Sequence, residues 1–300
     1  MPRRVVVTGL GCVTPVGNDV AATWAALLAG TSGAAPITKF DASNHAVRFA
    51  CEVKGFDPLQ YMDRKEAKRA DPYTQYAVAA SVQAMADAGF GQGTGYDPLR
   101  FGVIVGSGIG GLQTFEEQHD VYRSGGAKRI SPFFIPMFIS DIAAGVISMR
   151  YQLKGPNFAT VSACSTSAHA IGIAMRTIQY GDADVMLCGG SEAAVTPMSI
   201  GGFANMGALS TRNDDPARAS RPFDAQRARA RGARILAELV GYGATGDAES
   251  LTGQAEDHEG LQRAMRAALA DATLAPEAID YVNAHGTSTP LNDPNESRAI

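Results

Sequence analysis

Short apolar runs that stop at glycines alternate along this chain with helix-length segments, and that alternation leaves few folds open. Arg4-Val-Val-Val-Thr runs into Gly9 and Gly11 and reads as a buried strand. Ala21 to Leu28 reads as a helix, Arg48 to Val53 as an edge strand, and Thr74 to Ala88 as a long helix ended by Gly89. Phe101-Gly-Val-Ile-Val is a second buried strand, Ile139 to Tyr151 a helix, and Asp184-Val-Met-Leu-Cys a further strand. Strands alternating with helices predict an α/β fold, with a mostly parallel sheet covered on both faces. Leu209 to Arg231, rich in Arg, Asp and Ser, reads as a surface loop. Beyond it the pattern restarts near residue 234. Ile235 to Tyr242 is expected to be a strand, Glu259 to Ala272 a helix and Asp280 to Asn283 a strand. Two related α/β halves follow, divided as residues 1–228 and 229–300.

Composition narrows the function. Hydrophobic residues make up 45% and charged residues 19%, the balance of a chain that buries a core. The net charge of −4 and the lack of a long basic run argue against nucleic acid as the main ligand. No apolar run reaches membrane-spanning length, so no membrane partner is expected. The N-terminus enters a strand directly, without the apolar core of a signal peptide, which points to the cytoplasm. Cys12, Cys51, Cys164 and Cys188 lack CxxC spacing and are expected to be free thiols. No His, Cys, Asp or Glu pair has metal spacing, so no metal is expected.

Cys164 stands apart from the other cysteines. Phe158-Ala-Thr-Val-Ser-Ala-Cys-Ser-Thr-Ser reads as a strand that stops at the thiol, and Ala168 to Tyr180 follows as a helix closed by Gly181. A sulfur at the positive end of a helix is stabilised as thiolate, and the same turn brings up backbone N–H groups that can hold an oxyanion. Ser162, Ser165, Thr166 and Ser167 leave room for a substrate. From spacing alone two readings stand: a nucleophile or a core cysteine. His285, in Asn283-Ala-His-Gly-Thr-Ser-Thr-Pro, is expected at a strand end among small residues. It is either a site residue or a histidine that satisfies local backbone groups.

Gly106-Ser-Gly-Ile-Gly-Gly satisfies the GxGxxG pattern and raises an alternative, a dinucleotide-binding oxidoreductase. Its context is against it. The next apolar segment, Pro132-Phe-Phe-Ile-Pro-Met-Phe, carries prolines unsuited to a sheet strand. The glycines instead suit a tight turn beneath a pocket. Arg64-Lys-Glu-Ala-Lys-Arg is a basic cluster, either a solvated helix face or a surface for an acidic partner.

Taken together, these motifs make the chain resemble the β-ketoacyl-acyl-carrier-protein synthases, in particular the type II elongation condensing enzymes of fatty-acid synthesis. The resemblance runs from Val5-Val-Val-Thr-Gly-Leu-Gly through Gly106-Ser-Gly-Ile-Gly-Gly, Ile130-Ser-Pro-Phe-Phe-Ile-Pro, Ala163-Cys-Ser-Thr-Ser and Ala208-Leu-Ser-Thr-Arg-Asn to Asn283-Ala-His-Gly-Thr-Ser-Thr-Pro. It implies a thiolase-like fold of two related α/β halves in five layers, a homodimer, and a decarboxylative Claisen condensation that needs no metal or nucleotide cofactor. It implies that Cys164 takes the acyl chain from acyl carrier protein and that His285 hydrogen-bonds the malonyl thioester carbonyl. Ile109, Phe134 and Phe203 match positions that line the acyl tunnel, Phe134 reaching across the dimer. Lys65, Lys68 and Arg69 match a surface that receives the carrier protein.

The resemblance also marks what these 300 residues do not contain. The family's Lys-Ser-x-x-Gly-His and Gly-Phe-Gly-Gly-Thr-Asn segments are not among them, and the last lysine is Lys154. After Arg221-Pro-Phe-Asp-Ala-Gln-Arg the family's acidic glycine-rich turn and core strand are replaced directly by Ala228-Arg-Ala-Arg-Gly-Ala-Arg. The resemblance therefore implies an incomplete or impaired synthase, a fragment or variant of a normal one, with a non-catalytic dimer partner or carrier-protein binder as the alternative.

Overall fold

The computed structural model describes residues 3–90, 95–220, 237–238, 240–246, 258–287 and 292–300. Two compact units divide the chain: Met1–Arg3 with Thr8–Asn213, and Arg4–Val7 with Asp214–Ile300. In chain order the elements are β1 (Val6–Val7), α1 (Val20–Leu28), β2 (Ala35–Pro36), β3 (Phe49–Ala50), α2 (Arg64–Ala67), α3 (Pro72–Asp87), β4 (Phe101–Gly106), α4 (Leu112–Gly125), α5 (Phe134–Phe138) and α6 (Ile142–Tyr151). They continue as β5 (Asn157–Phe158), α7 (Thr166–Tyr180), β6 (Val185–Gly190), α8 (Pro197–Asn205), β7 (Ala237–Glu238), α9 (Glu259–Ala272) and α10 (Asn292–Ala299).

The first unit is built on a three-stranded parallel sheet in the order β5-β4-β6. β4 is buried along its whole length, and its register with β6 runs from Phe101 opposite Val185 to Gly106 opposite Gly190. Period-2 alternation divides its side chains. Val103 and Val105 join Val78 and Met85 of α3 and Ala143, Ala144 and Ile147 of α6 in one core cluster. Ile104 joins Ala170 and Ala174 of α7 in a second. Helices thus cover both faces, as the continuous apolar run of β4 predicts. Each fully buried aliphatic side chain here contributes about 1.5–3 kcal/mol by leaving water. Asp71 caps α3 by accepting from the Tyr73 N–H, with Pro72 in the first turn. α7 ends at Gly181, left-handed at φ 86°, as the sequence predicts.

Several expected strands are shorter or missing. The segment leading to Cys164 is a strand only at Asn157–Phe158. In the 235–242 segment the strand is Ala237–Glu238, paired antiparallel with β1, while Ile235, Leu236 and Leu239 lie outside the described residues. Residues 280–283 form no strand, so His285 does not sit at a strand end; Tyr281 and Val282 are exposed. For the segments at 159–164 and 280–283 the physical reason is the same: an apolar run becomes a strand only where a neighbour supplies ladder hydrogen bonds, and the described residues supply none there. The edge strand expected over Arg48 to Val53 is present as Phe49–Ala50, paired with β2. The Leu209 to Arg231 loop is irregular apart from a short 3₁₀ turn over residues 216–218, as far as its described residues reach, to 220.

The expected internal relationship is visible as a repeated helix seat. In the first unit a Cβ on Gly9 would lie 2.3 Å from the Ala84 carbonyl oxygen, and one on Gly11 1.9 Å from that of Ala80. In the second, a Cβ on Gly241 would lie 2.3 Å from the Ala268 carbonyl oxygen, and one on Gly243 2.2 Å from that of Ala264. Each Gly-x-Gly thus lies against the backbone of an alanine-lined helix, α3 or α9. Each is also held by a carboxylate. The Leu10 N–H donates to Asp87 Oδ2 and the Tyr242 N–H to Asp271 Oδ2, both at 2.9 Å. Any side chain at these glycines must push a helix away. Gly11→Ala and Gly243→Ala are each expected to destabilise by about 1–3 kcal/mol, the usual cost of overpacking, measured by urea denaturation.

Candidate active site

Cys164 sits in a 3₁₀ turn, Ala163–Ser165, that leads directly into α7. The thiol is exposed. Ala163, just before it, is left-handed at φ 48° without being glycine. Such a residue stores roughly 1–3 kcal/mol of strain and persists only where its surroundings fix it. Side chains of the turn supply that fixing. The Ser162 N–H donates to Thr166 Oγ1 and Thr160 Oγ1 to the Thr166 carbonyl, each at 2.9 Å. The Ser165 N–H donates to the Ser162 carbonyl at 3.0 Å. Ser162 Oγ and His169 Nδ1 share a hydrogen bond of 2.6 Å. Gly106, at the end of β4, makes the closest approach possible. A Cβ there would lie 2.2 Å from the Thr160 carbonyl oxygen and 2.5 Å from Thr166 Cγ2.

The glycine loop after β4 lies against this turn, and its amides are already committed. The Gly108 and Ile109 N–H groups donate to Glu192 Oε2 at 2.9 and 3.2 Å. The Gly110 N–H donates to Ser107 Oγ at 3.0 Å, and the Gly111 N–H to the Phe138 carbonyl at 2.9 Å. A dinucleotide fingerprint works by pointing such N–H groups at a pyrophosphate. Here a protein carboxylate takes that place. Burial pushes the Glu192 carboxyl above its ordinary value, while the Ser107 hydroxyl and the amides pull it back.

The His285 loop in the second unit is held in the same manner. The His285 and Gly286 N–H groups donate to the two oxygens of Glu296 at 2.6 and 2.7 Å, and Asn292 Nδ2 donates to Glu296 Oε2 at 2.8 Å. Glu296, on α10, is buried, whereas the His285 side chain is exposed. Sequence reasoning missed both glutamates. Each is a single acid held by a pair of backbone amides and one neutral side chain, Ser107 for Glu192 and Asn292 for Glu296, so no pattern of charged side chains marks it.

The remaining expected residues are spread over the first unit. Ile109 is half-exposed on the glycine loop. Phe134, on α5, belongs to an aromatic cluster, 6.3 Å from Phe115 and 5.8 Å from Phe138 between ring centroids. Phe203 is exposed on α8, whose start is tied to α4 where the Met198 N–H donates to Glu116 at 3.3 Å. Lys65 lies on α2, a helix closed by a capping box between Asp63 and Glu66, and Lys68 is its C-cap. The Arg69 guanidinium lies 3.9 Å from the centroid of the Phe133 ring. Among the described residues no cluster of three or more His, Cys, Asp or Glu side chains is arranged to hold a metal.

Two outcomes are expected from this geometry. Limited iodoacetamide labelling with peptide mapping should modify Cys164 ahead of Cys12, Cys51 and Cys188. Cys164 is exposed at a helix N-terminus, whereas burial pushes the Cys188 thiol up to about 11. Calorimetric titration with NAD or NADP should show no binding in the micromolar range. Binding there would contradict the commitment of the loop amides to Glu192.

Comparison with known proteins agrees with this geometry. The model of the β-ketoacyl synthase N-terminal domain matches residues 2–239, and that of the C-terminal domain residues 236–300. A protein of Coxiella burnetii described as 3-oxoacyl-[acyl-carrier-protein] synthase 2 is 47% identical, covering 99% of this chain and 76% of that protein. A Synechocystis protein of the same description is 48% identical with the same coverage. Among solved structures, the ishigamide ketosynthase/chain length factor superposes with a TM-score of 0.88 at 31% identity, covering 100% of this chain and 77% of that one. A type II polyketide ketosynthase in complex with its acyl-carrier protein, AntDE:AntF, gives 0.85 at 32% identity with the same coverage. The chain belongs to the β-ketoacyl synthase family, the condensing acyltransferases of thiolase-like fold.

Proposed function

We propose that this chain carries, in incomplete or impaired form, the chemistry of fatty-acid elongation: condensation of an acyl group held on Cys164 with malonyl carrier protein. The observation that carries the reading is the exposed Cys164 thiol on a braced turn at the start of α7. The thiolate attacks the acyl thioester carbonyl, the carrier's thiol leaves, and the acyl group stays on the sulfur. The Cys164 N–H, at the helix start, supplies one oxyanion donor. Malonyl carrier protein then loses carbon dioxide. The carbanion forms the new carbon–carbon bond at the acyl carbonyl, and the sulfur of Cys164 departs. His285 donates to the malonyl thioester carbonyl as negative charge builds on its oxygen, an interaction stronger in the transition state than in the ground state. Ile109, Phe134 and Phe203 line the acyl tunnel, and Lys65, Lys68 and Arg69 face the carrier protein. No nucleotide or metal enters any step.

We assign the working form to a homodimer in the cytoplasm. Phe158 is exposed on β5, the outer strand of its sheet, and Val161 is exposed three residues further on, an edge that a second copy can cover. No helix among the described residues is long and apolar enough to cross a membrane, and the four cysteines are free.

The test separates the two half-reactions. Incubation with carrier protein bearing an acyl thioester should add the acyl mass to the Cys164 peptide and release the carrier's free thiol. Addition of malonyl carrier protein should then release carbon dioxide. His285→Ala is expected to spare loading and to slow decarboxylation by roughly 10²-fold, the usual scale for one lost donor of this kind. Equal loss of both steps would remove His285 from its assigned role. Loading without condensation by the unaltered chain would favour a carrier-protein binder or dimer partner.

A further inference from the structure

We propose that Glu192 is a positioning residue for the Cys164 nucleophile, acting through residues 107–109 on the turn that carries the sulfur. The inference rests on the reading of Cys164 as the acyl-bearing group. Glu192 stands just beyond the end of β6. Its Oε1 accepts from Ser107 Oγ at 2.9 Å, and its Oε2 accepts from the Gly108 and Ile109 N–H groups at 2.9 and 3.2 Å. Ser107 is itself buried and accepts from the Gly110 N–H at 3.0 Å. One carboxylate thus draws the loop into a single conformation.

Gly108 lies between that carboxylate and the nucleophile turn. A Cβ at Gly108 would lie 2.8 Å from Glu192 Oε2 and 3.4 Å from both Cα and the carbonyl oxygen of Ala163. Ala163 is the residue held left-handed at φ 48°. Gly106 closes the other flank against Thr160 and Thr166. The strained residue before the sulfur thus faces Gly108, while Gly106, at the end of β4, packs on Thr160 and Thr166 of the same turn. Glu192 holds Gly108 in place, and Cys164 follows Ala163 directly in the turn. An amide pair converges on one carboxylate oxygen and a hydroxyl on the other. Glutamine still offers one oxygen to the amide pair and a donor to Ser107; alanine offers nothing.

Iodoacetamide labelling tests this without any carrier protein, so its outcome is independent of whether the chain transfers acyl groups. The quantity read is the rate at Cys164 relative to exposed Cys51 in the same molecule, with the largely buried Cys188 as a reporter of unfolding. Glu192→Ala is expected to lower the Cys164:Cys51 ratio about threefold to tenfold, the range that loss of alignment with a helix N-terminus can give. Glu192→Gln should stay within about twofold of the wild type, and Cys188 should stay unlabelled in both. A ratio unchanged in Glu192→Ala overturns the proposal, as does a fall in Glu192→Gln as large as that in Glu192→Ala. Where Glu192→Ala exposes Cys188, Ser107→Ala decides. It removes one of the three bonds to the carboxylate together with the acceptor of the Gly110 N–H, and a ratio lowered at least about twofold with Cys188 protected supports the proposal. An unchanged ratio in Ser107→Ala overturns it.

Discussion

The six-residue parallel ladder between β4 and β6 is the interaction on which the first unit depends. Its register ends with Gly106 opposite Gly190, so two loops leave the sheet at the same edge. One carries the glycines, the other Glu192. β5 runs parallel to β4, and the chain beyond it reaches Cys164 near the same edge. In parallel sheets chemistry gathers beyond the carboxyl ends of the strands, because only there do neighbouring loops converge. Burial of β4 against α3, α6 and α7 keeps that edge from shifting.

Two carboxylates do related work in the two units. Glu192 accepts from consecutive amides at Gly108 and Ile109, and Glu296 from consecutive amides at His285 and Gly286. Glu296 is withdrawn from water whereas Glu192 keeps part of its surface exposed, and each bonds to consecutive backbone amides. A buried carboxylate is costly unless hydrogen-bonded, and converging N–H groups offset that cost. Both acids thereby fix the loop beside the residue expected to do chemistry.

The sequence made the α/β alternation legible because buried parallel strands and alanine-rich helices leave continuous apolar runs and glycine stops. The exposed thiol at Cys164 was legible for a similar reason: small polar neighbours next to a helix start have few structural uses. Strand lengths near Cys164 and His285 were not legible, because pairing depends on neighbours distant in sequence. Glu192 and Glu296 were invisible because most of their partners are main-chain amides, which every residue but proline possesses. The GxGxxG pattern, which its sequence context already spoke against as a dinucleotide site, is ambiguous in the complementary way. It records backbone conformation faithfully, but which anion the amides meet is decided by a residue more than eighty positions away, as in the Gly108–Glu192 bond.

That substitution of a protein carboxylate for a ligand has an entropic consequence. A phosphate loop whose amides await their ligand loses freedom when the ligand arrives, and binding bears that loss. In this chain the amides of Gly108, Ile109, His285 and Gly286 are satisfied from within. The ordering of each loop is therefore part of the folding of its own unit, and its cost is met there and not by the binding of a thioester.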